Sequence, residues 1–152
     1  MSADRNPDAI VGSAPVHAAG VSVAVAAGTA FAFLADPVHL ASWAKGLVGQ
    51  RVVAPLLVRG RLVHESTPTW CRIEPAPAQR IVTYRLGADP DTLQPRIVAH
   101  VMDGAVLGGD AGGCVITLLA WRTAGMSDAR WASLCAGHEA EVQTVRALLE
   151  RR

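Results

Sequence analysis

His138 is the residue whose type and position best suit chemistry. It lies four residues after Leu134 and four before Val142, which puts it on the apolar stripe of a helix near the C-terminus. A histidine there either hydrogen-bonds within the core or faces a ligand, and a neutral imidazole can take or give a proton near neutral pH. Three other polar residues fall on faces that strand alternation aims inward. His64 shares a face with Val58, Gly60 and Leu62, and Tyr84, the single tyrosine, shares one with Val82 and Leu86. His100 is undecided, because Val98, His100 and Met102 form one face, Ile97, Ala99 and Val101 the other, and both are apolar. Cys114–Arg122 has the same ambiguity, with either Ile116 and Leu118 or Val115, Leu119 and Trp121 inward. His138, His64 and His100 are thus the candidate acid-base residues. An inward-turned arginine would bind a carboxylate, and Arg96 and Arg122 are open to that role.

Other chemistries are unsupported. There is no phosphate loop and no dinucleotide Gly-x-Gly-x-x-Gly, and Gly108–Gly113 is not followed by a helix to receive a phosphate. His138-Glu139 lacks the zincin partner, since Val142 stands where the second histidine would be. No Gly-x-Ser-x-Gly elbow is present. Neither a metal nor a cofactor is implied. The three cysteines, Cys71, Cys114 and Cys135, have no zinc-like spacing and read as small buried hydrophobes in a reducing, cytoplasmic setting. A net charge of +1 gives no reason to expect a nucleic-acid partner, and no apolar run is long enough to span a membrane.

The 152 residues amount to one domain, 51% hydrophobic and 18% charged, which excludes a disordered chain. Its apolar half is built from 27 alanines and 18 valines, with seven aromatic residues. Such a composition fits either a thin, tight core or one that leaves room. Residues 1–19 read as a flexible leader and 20–152 as a single domain. Val21, Val23 and Val25 alternate as a strand. Thr29 then caps a helix through Phe31, Phe33 and Leu34, and Asp36-Pro37 caps a second, short one. Six strands follow: Val48–Ala54, Val58–Ser66, Trp70–Glu74, Arg80–Leu86, Arg96–Met102 and Cys114–Arg122. Their short connections imply an antiparallel meander. A long helix starts at Ser127 or Asp128, with Trp131, Leu134, Cys135, Val142, Val145, Leu148 and Leu149 as its apolar stripe. Such a helix is long enough to cover one face of the sheet.

The segment from Val21 to Trp43, with Ala30-Phe-Ala-Phe-Leu-Ala-Asp-Pro37 at its centre, resembles the opening of the START-related, birch-pollen-allergen-like superfamily (SRPBCC). It is most similar to the polyketide cyclase/dehydrase and lipid transport group. The resemblance implies an α+β helix-grip fold, in which a seven-stranded antiparallel sheet in the order β-α-α-β6-α wraps a long C-terminal helix and encloses a cavity. Members bind lipids, sterols, polyketides or aromatic compounds, and some catalyse cyclisation, dehydration or hydrolysis. The resemblance also implies a gate or core role for Trp43 at the cavity mouth.

The expected function is therefore binding of a small hydrophobic or aromatic molecule. The expected contacts are Trp43, His64, Tyr84, His100, Trp121, Trp131 and His138. The alternative is an acid-base enzyme of cyclase, dehydratase or aldolase type on the same scaffold, using the cavity histidines. A third option is an interaction module or homodimer working through the open sheet face.

Overall fold

Residues 15–151 are described in the computed structural model; residues 1–14 of the expected leader lie outside them. The elements run β1 (Val16–Val23), α1 (Ala27–Ala35), α2 (Pro37–Trp43), β2 (Leu47–Ala54), β3 (Leu57–Leu62), β4 (Pro68–Ala76), β5 (Ile81–Gly87), β6 (Gln94–Asp103), a short 3-10 turn (Gly104–Leu107), β7 (Cys114–Trp121) and α3 (Asp128–Glu150). The seven strands form one sheet in the order β1-β7-β6-β5-β4-β3-β2, each pair antiparallel. The two short helices carry the chain from β1 at one edge to β2 at the other, and the meander then returns it.

Local chemistry explains most boundaries. Asp36 caps α2 by accepting from the Val38 amide at 2.9 Å, with Pro37 in the first turn, where its missing N–H costs nothing. Ser127 caps α3 through the Arg130 amide at 3.2 Å. Several strand ends shift by one or two residues, and three boundaries differ in ways that matter for the fold. β1 begins at Val16, because His17 and Ala19 continue the alternation of Val21 and Val23 and pair along β7, so residues 16–19 belong to the sheet and not to the leader. α1 begins at Ala27, so Thr29 lies inside it, and Ala26 precedes it without a side-chain cap. β3 stops at Leu62, because β4 starts opposite Arg61 with Pro68, leaving residues 63–67 to make the turn.

The inner face of the sheet carries Val82, Tyr84, Ala99, Val101, Ile116 and Leu118, all at most 2% exposed. Burying such a face is the main stabilising term, at roughly 25 cal/mol per Å² of apolar surface. Ala30 and Leu34 of α1 are fully buried, and α1 lies against β5, β6 and β7. α3 packs chiefly on β1 and β7, and Val142 and Val145 are buried. Its end is fixed by Glu150, which accepts from the Ala24 amide at 2.9 Å. Since α3 leans on the β1–β7 side, its own side chains leave the opposite half of the sheet unfilled. No described helix is long and apolar enough to cross a membrane.

Candidate functional site

The unfilled half is a cavity of about 850 Å³ between α3, α2 and strands β3 to β6. Its inner wall is apolar: Leu40, Leu47, Leu62, Cys71, Leu86 and Ile97 contribute. Its mouth is set by the exposed residues His64, Glu65 and Thr67 and by the loop before α3. Polar groups at depth are few, namely Thr69, His138 and Glu141, each at most 9% exposed.

His138 and Glu141 stand one helical turn apart on α3, with His138 Nε2 4.0 Å from Glu141 Oε2. That is too far for a hydrogen bond. Burial pushes the Glu141 carboxyl up to about 7, against the pull of the Gly46 and Lys45 backbone amides. Burial, followed by repulsion from His17, drives His138 down to about 4, with Glu139 pulling it back. An ion pair would shift both groups the other way, so burial outweighs mutual attraction: at pH 7 His138 is neutral and Glu141 is near its midpoint. His17, on β1, donates from Nε2 to Glu139 Oε1 over 3.0 Å, and its ring stands edge-on to that of His138 at 6.2 Å. The Nδ1 atoms of both rings are buried without a partner.

Tyr84 and Trp43 form the floor. The Tyr84 hydroxyl donates to the Leu34 carbonyl at 2.7 Å, and the Trp43 indole meets the tyrosine ring edge-on at 5.6 Å. Burial raises the Tyr84 hydroxyl well above the usual phenol range, so it stays a neutral donor. Trp43 is 1% exposed, a core residue whose Nε1 is buried without a partner. Cys71 lies in the same wall, its thiol pushed up to about 12 by burial and therefore chemically quiet.

The remaining expectations divide. His64 reaches the cavity, but from the exposed turn after β3 and not from a strand face. Trp121, the last residue of β7, is 36% exposed and lines the outer end of the cavity, although Ile116 and Leu118 are the inward residues of its strand. His100 is on the outer face, opposite Ile81 and Thr117, because Ala99 and Val101 point inward. Trp131 is half-buried and does not line the cavity. The lining face of α3 runs from Ser133 and Ala140 through Arg130, Gly137, Glu141 and Thr144 to Leu134 and His138, and Trp131 falls about 20° beyond His138, just past its edge. The expected stripe had merged this face with the one packed on β1 and β7. His138 stands at the border of the two.

Two residues of this site were missed. His17 lay in the segment read as leader, and only the continued alternation through Ala19, Val21 and Val23 could have signalled it. Glu141 is not among the residues that the sequence reading singles out. Its spacing of three from His138 and seven from Leu134 was the available signal.

No protein-family model matches the chain, and no curated protein sequence is similar to it. Solved structures are. The Zhui aromatase/cyclase from a Streptomyces species superposes with a TM-score of 0.64 at 19% identity, covering 90% of this chain and 94% of that one. A START superfamily protein from Mycobacterium smegmatis gives 0.61 at 13% identity, covering 89% and 97%. The di-domain ARO/CYC protein BexL gives 0.57 at 15% identity, covering 89% of this chain and 45% of its own. At such identities the likeness concerns architecture, and it agrees with the strand order and the long covering helix: the chain has the helix-grip fold of START-like and aromatase/cyclase proteins.

Proposed function

We propose that the protein binds a small hydrophobic or aromatic molecule in the cavity beneath α3. The observation that carries this reading is the cavity itself. Its volume of about 850 Å³ and its apolar wall with a few buried polar groups have the usual makeup of a small-molecule site. The solved START and aromatase/cyclase structures of the same fold support the reading without specifying the ligand. The test is fluorescence titration with Nile red, an uncharged apolar dye. Saturable binding with a blue-shifted emission is expected. Emission that stays at its value in water at every protein concentration would remove the proposal.

One observation favours a second reading, proton transfer on a bound substrate. Glu141, with its carboxyl held at about 7, is able to donate or accept a proton at neutral pH, and His138, held at about 4, stays neutral beside it and able to hydrogen-bond a substrate. Of the three histidines first considered, only His138 has such a companion at depth. Turnover of an aromatic or polyketide-like substrate that is lost in Glu141→Gln while binding persists supports catalysis. Binding without turnover by the parent protein supports carriage.

A further inference from the structure

The pairing of β5 with β6 slips at one point. Tyr84 pairs with Ile97 and Arg85 with Pro95, so Arg96 is an extra residue opposite that step. Under strict alternation Arg96 would share the outer face with Val98 and His100. At the slip it lines the cavity together with its neighbour Ile97. A bulge of this kind re-aims a side chain. What it brings to the cavity is a half-buried guanidinium.

That guanidinium has, among the described residues, no carboxylate within ion-pair distance. Among the described residues, the arginines paired with one are Arg85, Arg122, Arg130 and Arg146. Arg122, the other arginine considered for an inward role, is held by Asp128 at 2.7 Å. Beside Arg96, Glu65 is engaged by Arg130 at 2.7 Å, and both of these also line the cavity. The charges that act on Arg96 are thus one further cation and one anion, which leaves one net positive charge at this point, away from Lys45 and Glu141 elsewhere on the wall. Burial and the field of Arg130 lower the Arg96 pKa, with Glu65 pulling it back in part, which is the direction expected of a cation without its own ion-pair partner. Arginine nevertheless remains charged.

We propose that Arg96 is the anion-recognition point of the cavity and that the ligand is an amphiphile, with its apolar body beneath α3 and a carboxylate on the guanidinium. A planar fork fits a carboxylate through two parallel hydrogen bonds. A single net charge also matches a monoanion better than a phosphate dianion. The inference rests on the ligand-binding reading above and adds to it the chemical class of the ligand.

The test uses dansyl-labelled undecanoic acid and its methyl ester, titrated by fluorescence against the parent protein, Arg96→Gln and Arg96→Lys, with thermal melts to check folding. The parent is expected to prefer the acid by ~10–100-fold, the usual worth of a hydrogen-bonded charge. In Arg96→Gln the acid-to-ester ratio falls to about one. Arg96→Lys, which keeps the charge and loses the fork, is expected to fall between and decides the matter if the glutamine variant does not fold. Equal affinity of the parent for acid and ester overturns the carboxylate inference and leaves the cavity reading standing. So does a variant that keeps the parent ratio. If neither compound binds the parent, the carboxylate inference falls, and the Nile red titration decides whether the cavity reading falls with it.

Discussion

His138 and Glu141 impose opposite pH dependences on stability. Glu141 titrates near 4.5 when unfolded and at about 7 in the fold. Between these values the native state holds a proton that the unfolded chain has released, so stability falls as pH rises, by on the order of 3 kcal/mol once pH exceeds 7. His138 goes from 6.5 to about 4, so its contribution is full above 6.5 and is lost as pH falls toward 4. In the overlap the two slopes cancel in part. Glu141→Gln removes the first and keeps the second. Relative to the parent it should gain stability, by kcal/mol and not tenths, as pH goes from about 5 to about 8. Thermal melts at both pH values check this; an offset that does not change with pH would mean that Glu141 is not buried as a neutral acid.

Among the elements, α3 carries the site at a cost to its own propensity. Gly137 sits in mid-helix on the cavity side, and a Cβ placed there meets no atom within 4 Å. Gly137→Ala should therefore stabilise the protein by about 0.5–1 kcal/mol through helix propensity alone. Gly137→Leu would project a large side chain beside His138 and is expected to weaken Nile red binding about tenfold or more while the protein stays folded. Parent-like dye affinity in that variant would show that ligands do not lie against this face. The element pattern was legible where chemistry is local: the Asp36-Pro37 cap, the Ser127 cap and the alternation of the strands all appear in the chain as read. The end of β3 and the bulge at Arg96 were not, because each depends on which residue of the neighbouring strand lies opposite.

For the whole molecule, ligand and fold are linked by mass action. A ligand that binds only the native state at about 100 times its Kd adds about 2.7 kcal/mol to stability. Dansyl-labelled undecanoic acid at that ratio should raise the melting temperature of the parent by several degrees, and of Arg96→Gln by less. A parent melting temperature that does not move at saturating probe would mean that the probe binds something other than the native cavity. The Ala- and Val-rich composition takes on a definite meaning at this scale. Ala30 and Ala99 are fully buried in one core cluster and let α1 and the sheet approach closely, so they make a tight core on one side. The spare volume lies on the other, under α3.

The chain by itself determined the element order, the antiparallel meander, the long covering helix and the inward setting of Tyr84 and His138. Those follow from side-chain periodicity and capping, which act over a few residues. Only the tertiary structure decided that His100 and Trp131 lie outside the cavity, that His17 and Glu141 flank His138, and that Arg96 turns inward. Each of these depends on contacts between residues far apart in sequence: a strand's register against its neighbour, or the lean of α3 toward β1. Hydrophobic pattern distinguishes one face of an element from the other, but it does not say what stands across from that face. The pKa values of His138 and Glu141 belong to the same class, since they arise from burial that no single element provides.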